Sequence, residues 1–133
     1  MAALDTNVLI GLLVDDDRAR RAAATRLVRR TLSAGGSLFV PVTVALELEW
    51  VLRSKFGFGR HDVVRTLSQL LSARDLAFER EGALEAALVS YRRGSADFSD
   101  CLHVALAALA GERPFWTFDR AAAKIGGARL VAA

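Results

Sequence analysis

The sequence has little cysteine, histidine and proline, and each scarcity excludes a class of protein. Its 133 residues contain one cysteine and two histidines, too few for an intrachain disulfide, a thiolate metal cluster or a histidine-rich zinc site. Two prolines beside 53% hydrophobic and 25% charged residues exclude a disordered, collagen-like or low-complexity chain. The length predicts a single domain, residues 1–133, with a real core.

Long hydrophobic runs are also missing. The longest uncharged run, residues 31–46, contains two glycines and a proline, whereas a membrane-spanning helix needs about 20 mostly apolar residues. The N-terminus lacks the basic start and apolar stretch of a signal peptide. The lone thiol of Cys101 suits a reducing compartment. We therefore expect a cytoplasmic protein that makes no membrane contact.

Lysine is scarce and arginine is abundant. Lysine and arginine together number 18 against 15 acids, which gives a net charge of +3, and 16 of the 18 are arginine. Arginine binds phosphate bidentately, and a mild basic excess is compatible with an RNA or DNA partner. A GC-rich genome, which favours arginine over lysine, explains the same count equally well.

The hydrophobic pattern predicts strands that alternate with helices. Strands separated by helices indicate an α/β fold, a parallel sheet with helices on both faces. In such sheets, functional residues gather beyond the carboxyl ends of the strands. We predict strands at 1–4, 37–40, 76–78, 114–117 and 129–131, and helices at 8–14, 18–32, 44–55, 61–71, 82–91 and 98–110.

Several acids lie in hydrophobic sequence. Asp5 and Asp119 directly follow predicted strands, Glu47 sits inside an apolar helix, and Asp97 and Asp100 open another. A buried carboxylate is costly unless it is paired, hydrogen-bonded or bound to a metal. Acids from separate elements with few cations beside them therefore predict one shared hard cation, Mg²⁺ or Mn²⁺.

Simpler explanations exist for most of these acids. Asp97 is a good N-cap residue, and Asp100 three positions later completes a box-like pattern. Asp119 can cap the turn at 120–123. Asp5 is the hardest to explain without a cation, because nothing else at that strand end needs a charge.

Glu47 and Glu49 can both be solvated helix charges. Glu47 shares a face with Trp50, whereas Glu49 aligns with Leu52 and Phe56, and periodicity does not choose between them.

Four segments, in order along nearly the whole chain, resemble the acidic motifs of PIN domains. Within that family they are most similar to the VapC-like toxins of bacterial toxin–antitoxin pairs. The segments are LDTNVL at 4–9, ELEWVL at 47–52, ADFSDCLH at 96–103 and WTFDR at 116–120. Each motif is short and weak alone, and the four together are specific.

The resemblance implies a three-layer α/β/α fold with a short, mostly parallel sheet. It also implies a Mg²⁺- or Mn²⁺-dependent endoribonuclease with 5′-phosphate and 3′-hydroxyl products, a homodimer, and a VapB-like antitoxin that blocks the site. By motif position, the acidic quartet is Asp5, Glu47, Asp100 and Asp119, and Asp97 is auxiliary.

On this hypothesis Asp5 and Asp100 bind metal directly, while Glu47 and Asp119 hold a second metal or orient water. Three further residues match polar positions beside the motif acids: Thr6, Asn7 and Thr117. Thr6 or Thr117 can orient a ligand carboxylate.

Two arginines near the motif acids, Arg53 and Arg120, are candidate phosphate contacts, and an ordinary solvated arginine is an equally simple explanation for each. The apolar neighbours of Trp50 and Trp116 predict core positions, with base stacking as the alternative.

Two other functions stay open. A phosphatase or phosphoacceptor domain usually carries an Asp-x-Asp or paired-Asp motif on its first strands and a lysine near the site. In this sequence Asp5 is followed by Thr6 and Asn7, and the only late lysine is Lys124. A non-catalytic RNA-binding or interaction domain on the same fold is disfavoured, because pure binding gains nothing from a repulsive cluster of acids.

Overall fold

The structure is a computed structural model that describes residues 2–132. Within them, strands and helices alternate as the sequence predicts. In chain order the elements are β1 (Ala2–Ala3), α1 (Thr6–Leu13), α2 (Arg18–Ser33), β2 (Leu38–Val40), α3 (Val42–Ser54), α4 (Arg60–Ser72), β3 (Leu76–Phe78), α5 (Glu81–Arg93), α6 (Phe98–Leu109), β4 (Phe115–Thr117), α7 (Arg120–Ala123) and β5 (Ala128–Leu130).

The strand pairs are parallel. β1 pairs with β2, and β2 pairs with β3, where Val40 lies opposite Phe78. β4 and β5 form a separate parallel pair. Parallel neighbours need a crossover connection, and the helices provide it. The predicted α/β fold, a short parallel sheet flanked by helices, is confirmed.

The core anchors the helices that carry the candidate acids. Leu9 fixes α1, Leu48 and Leu52 fix α3, and Phe98 and Leu102 fix α6; each of these side chains is at most 1% exposed. Their spacing within α3 and α6 is that of one helix face. Among the described residues, no helix combines the length and apolar character that crossing a membrane requires.

Several helices begin earlier than predicted, and α1 and α3 each begin two residues early. Helix α3 begins at Val42 with Pro41 at the N-cap, and the Pro41 side chain accepts no hydrogen bond from a helix N–H. The N–H of Val42 instead donates to Oε1 of Glu79 at 2.8 Å, a partner distant in sequence. The turn expected after Asp119 forms the short helix α7.

Little of α2 is buried. Ala22 and Leu27 are exposed and Val28 is half-buried, whereas Ala24 is buried. The reason is a close approach of small residues, since a Cβ on Gly11 of α1 would lie 3.5 Å from the Cβ of Ala24.

Both tryptophans were predicted in the core, and both predictions are wrong: Trp50 is 58% exposed and Trp116 is 55% exposed. Their apolar sequence neighbours point to other faces of α3 and β4. The strand predicted at 1–4 is shorter in the structure, where β1 spans Ala2–Ala3; both of these residues are exposed, whereas Leu4 is buried. Met1 lies outside the described residues.

Candidate active site

Asp5 and Thr6 lie where β1 leads into α1. Asp5 is the N-cap of α1, and its Oδ1 accepts a hydrogen bond from the backbone N–H of Thr6 at 2.7 Å. A carboxylate is favourable at this position, so capping accounts for part of the role of Asp5. The residue is nevertheless exposed, which leaves it accessible to a further ligand.

Glu47 is joined to this segment through Thr6. The buried hydroxyl of Thr6 donates to Oε1 of Glu47, an exposed residue on α3. Glu47 is therefore held in place and is not simply a solvated helix charge. We call Asp5, Thr6 and Glu47 the hydrogen-bonded half of the site. Asn7, the polar residue that follows, is exposed in the first turn of α1.

Three other acids gather at the starts of α6 and α7. Asp97 is at the N-cap of α6, Asp100 is in its first turn, and Asp119 is the N-cap of α7. Burial raises the pKa of Asp100, the negative charges of Asp119 and Asp97 raise it further, and His103 opposes the shift. These acids are close enough for their charges to interact. We call Asp97, Asp100 and Asp119 the repulsive half of the site.

Capping explains Asp119 but not Asp97. Oδ1 of Asp119 accepts from the N–H of Ala122 at 2.9 Å. The carboxylate of Asp97, within residues 2–132, makes no capping hydrogen bond. Thr117 supports the turn, because its hydroxyl oxygen accepts from the N–H of Asp119 at 3.0 Å.

Glu49, and not Glu47, is the buried acid of α3. It is 2% exposed, and its Oε2 accepts from Nε of Arg53 at 2.8 Å and from the hydroxyl of Tyr91 at 3.4 Å. The hydrogen bond and charge of Glu49 raise the pKa of Arg53. Such pairing makes a buried charge tolerable. The sequence signal was the alignment of Glu49 with Leu52, which is buried.

Arg60 is a structural residue that the sequence did not reveal. Its guanidinium donates to the backbone carbonyls of Tyr91 at 2.7 Å, Ala96 at 3.0 Å and Ser95 at 3.5 Å, and lies 4.1 Å from the Tyr91 ring centroid. It thereby holds the segment that leads into Asp97. An arginine at a helix start after a glycine gives no sequence signal of this role.

The two candidate phosphate contacts both lie near site acids. Arg53 is 42% exposed, and Asp97 is close enough to contribute to its raised pKa. Arg120 is exposed and directly follows Asp119.

His103 and Cys101 have packing environments. The exposed His103 stacks on Phe115 with a centroid separation of 6.1 Å. Cys101 is 1% exposed, and burial raises its pKa to about 11. The thiol therefore stays protonated at neutral pH and is a poor nucleophile.

An open cleft of about 320 Å³ runs between α3 and α6. We call it the α3 cleft. It is lined by Thr43, Leu46, Glu47, Glu49, Trp50, Arg53 and Ser99. Because Ser99 precedes Asp100, the cleft reaches from the hydrogen-bonded half towards the repulsive half.

The acids fit a hard divalent cation by their chemistry. Within residues 2–132, no group of three or more acidic, histidine or cysteine side chains forms a ready ligand set for a metal ion. The available donors are nevertheless carboxylate oxygens, which Mg²⁺ and Mn²⁺ prefer. The raised pKa of Asp100 marks a place where a cation would offset repulsion.

The α/β fold agrees with the comparison of this chain with known proteins. The PIN domain family model matches residues 2–128, so the chain belongs to the PIN domain family.

One relative is the VapC ribonuclease of Aquifex aeolicus (strain VF5). It is 25% identical over 126 residues, which cover 95% of this chain and 93% of that protein. A solved structure, Mycobacterium tuberculosis VapC20, described as a sarcin–ricin loop cleaving toxin, is 17% identical with a TM-score of 0.43 and covers 96% of each chain.

Proposed function

We propose that this chain is a Mg²⁺- or Mn²⁺-dependent endoribonuclease and the toxin of a VapBC-type pair. PIN family membership and the similarity to a VapC ribonuclease support the proposal. The observation that carries it is the environment of Asp100, where burial and two neighbouring acids all disfavour its charge. Such an arrangement is unfavourable for a purely structural carboxylate and favourable for binding a cation.

Each motif acid takes a defined part in this proposal. Asp5 and Asp100 hold the cation, while Glu47 and Asp119 hold a second cation or orient water. Thr6 orients Glu47 by its hydrogen bond. When bound, the cation supplies activation of water and neutralisation of charge on the phosphoryl oxygens. The products expected from the family are 5′-phosphate and 3′-hydroxyl RNA fragments.

Arg53 and Arg120 are proposed to contact RNA phosphates. Both lie near site acids, and arginine forks suit phosphate. Replacing either one should weaken RNA binding and reduce its salt dependence. A salt profile unchanged in both variants would contradict this role.

We also propose that residues 1–133 form a single cytoplasmic domain, which forms a homodimer and is blocked by a VapB-like antitoxin. Exposed apolar side chains support contact with other chains, and they include Val89, Leu109 and Leu130. Size-exclusion chromatography with and without the antitoxin tests both partners, and a monomer at high concentration would contradict the dimer.

The test is cleavage of total cellular RNA by antitoxin-free protein in Mg²⁺ or Mn²⁺, beside an EDTA control and an Asp5→Asn variant. Asparagine caps helices as well as aspartate does, so this change removes the charge and keeps the cap. We expect discrete fragments from the native protein and a loss of about 1000-fold in the variant.

Asp17→Asn is the matched control. Asp17 is also an N-cap whose side chain accepts from a helix N–H, that of Arg20 at 3.1 Å, but it lies on α2. It should cleave like the native protein. Full activity of Asp5→Asn would refute the assigned role. RNA binding by a folded protein without metal-dependent cleavage would favour a non-catalytic domain.

A further inference from the structure

The α3 cleft brings an aromatic side chain and a cation beside the candidate acids. Trp50 and Arg53 line it together with Glu47, and Ser99 closes its α6 side. We propose that this cleft binds one nucleotide of single-stranded RNA, with Trp50 stacked on the base and Arg53 bound to a phosphate. The proposal rests on the proposed ribonuclease function and names two side chains that bind the substrate beside the candidate acids.

Arg53 is oriented by a buried partner. Its Nε donates to Glu49 at 2.8 Å, and Glu49 is 2% exposed whereas Arg53 is 42% exposed. Within residues 2–132 the Arg53 guanidinium donates through Nε only, which leaves its terminal nitrogens for a ligand. A guanidinium presents paired donors that match phosphate, and one already fixed in place loses less entropy on binding.

The distance along α3 indicates which phosphate Arg53 contacts. Glu47 and Arg53 are six residues apart, which corresponds to a rise of about 9 Å. The negative charge of Glu47 also keeps a phosphate at the Arg53 end unless a cation intervenes. Arg53 therefore contacts a phosphate next to the one that is cleaved.

Trp50 is a large aromatic side chain that the fold leaves in water. It is 58% exposed although its neighbours on α3 are largely apolar. Stacking of a base on an aromatic ring is worth about 1–3 kcal/mol per base and requires an unpaired, accessible base. A duplex hides that base face, so the cleft selects single strands.

The second exposed tryptophan provides an internal comparison. Trp116 is 55% exposed on β4, but the guanidinium of Arg129 lies 5.7 Å from its ring centroid. Trp116 does not line the α3 cleft, and it has no neighbour like Arg53 that is paired with a buried acid. Its exposure matches that of Trp50, and the two differ in surroundings.

The first test uses fluorescence, because the chain has two tryptophans. Trp116→Phe leaves Trp50 as the reporter, and Trp50→Phe leaves Trp116. Each variant is titrated in EDTA, where cleavage is not expected, with a short single-stranded RNA and then with a duplex of the same sequence. We expect single strands to quench Trp50, little change at Trp116, and no quenching by the duplex.

The second test measures affinity by the anisotropy of labelled RNA. Trp50→Ala, at an exposed position, should fold normally and weaken single-strand affinity about tenfold. Arg53→Lys should weaken affinity, because lysine lacks the paired donors of the guanidinium. The effect should be smaller than that of Arg53→Gln, because lysine keeps a positive charge beside Glu49. The control Arg65→Gln, from the exposed pair of Arg65 with Asp62 at 3.0 Å, should bind like the native protein.

Three outcomes would overturn the subsite: bound RNA that leaves Trp50 unquenched, equal quenching by duplex, or a Trp50 emission shift that follows protein concentration without RNA. The last would identify the cleft as a contact between two copies of the chain. Cleavage in Mg²⁺ with an unquenched Trp50 refutes the subsite and leaves the ribonuclease proposal intact. Quenching without cleavage supports the subsite and refutes the ribonuclease.

Discussion

The two halves of the candidate site are held in different ways. In the hydrogen-bonded half each carboxylate has a donor, since Asp5 accepts from the Thr6 N–H at 2.7 Å and Glu47 accepts from the Thr6 hydroxyl. In the repulsive half, burial and the charge of Asp119 raise the pKa of Asp100. One half is thus ordered by the protein itself, and the other carries a charge imbalance that a bound divalent cation would relieve.

Arg60, which lies outside the repulsive half, supports the segment before it, and removing that support gives the largest expected effect on stability. Arg60→Met keeps an apolar contact with the Tyr91 ring and removes hydrogen bonds to backbone carbonyls on the way to Asp97. Hydrogen bonds from a charged donor contribute about 1.5–3 kcal/mol. We expect a loss of about 3 kcal/mol in the free energy of unfolding, measured by urea denaturation.

Arg65→Met is the control for Arg60→Met. Arg65 pairs with Asp62 at the surface of α4, both side chains being about half exposed or more, and such pairs contribute about 0–1 kcal/mol. Equal losses in the two variants would mean that Arg60 does not support the segment before α6.

Addition of Mg²⁺ should stabilise the protein through the repulsive half. On the proposed function the folded protein binds the ion and the unfolded chain does not, so the free energy of unfolding should rise by about 2.7 kcal/mol at a hundredfold excess over Kd. EDTA should reverse the gain. Thermal or urea unfolding measures this effect without any RNA present.

Asp100→Asn should lose much of the Mg²⁺-dependent gain, while Asp17→Asn should keep it. The first change removes a charge from the repulsive half, and the second removes one from the cap of α2. An undiminished gain in Asp100→Asn would show that the ion does not bind at the repulsive half.

Thr6→Val tests the hydrogen-bonded half. Valine has nearly the same shape but lacks the hydroxyl that orients Glu47. Loss of such a supporting hydrogen bond typically lowers activity about tenfold to hundredfold, and we expect a fall in cleavage rate in that range.

Thr31→Val is the matched control, because the Thr31 hydroxyl donates to the carbonyl of Leu27 within α2 at 2.9 Å. It should cleave RNA at the native rate. If both variants cleave like the native protein, the contact with Glu47 plays no part in the reaction.

The smallest expected effect is on the pH dependence of the free energy of unfolding. In EDTA no cation is bound, so this dependence reports the repulsion among the acids. Because the folded protein raises the pKa of Asp100 above its ordinary 3.8, the folded state holds this proton more tightly than the unfolded chain does. The stabilising contribution of Asp100 is therefore fully present below the unfolded pKa and is lost as pH rises through the folded value.

Asp100→Asn should accordingly gain stability relative to the native protein as pH rises through that window, and the difference should level off above it. Urea unfolding of both proteins across this pH range measures the trend. A difference that does not change with pH would contradict the raised pKa.

The sequence predicted the positions of the acids well, because those positions depend on local pattern. Asp5 and Asp119 follow short apolar runs, and Asp97 and Asp100 precede a long one. The two strand ends and the helix start could therefore be predicted from the sequence. The assignment of these residues to metal binding and catalysis remains a prediction. Family resemblance, not periodicity, singled out Glu47.

The sequence failed where a role depends on distant partners. Glu49 is buried because its face of α3 meets Tyr91, 42 residues away, and the partners of Arg60 lie 31 to 36 residues away. The exposure of Trp50 was missed for a related reason, because adjacent apolar residues in a helix point to different faces.

The arginine-rich helix α2 should unfold locally before the rest of the protein. Among the described residues of this 16-residue helix, Ala24 alone is buried, while six of its residues are arginines. Segments that bury little apolar surface unfold locally at low free energy. The amide hydrogens of α2 should therefore exchange with deuterium well before those of α3 or α6, and limited trypsin digestion should cut first at this helix.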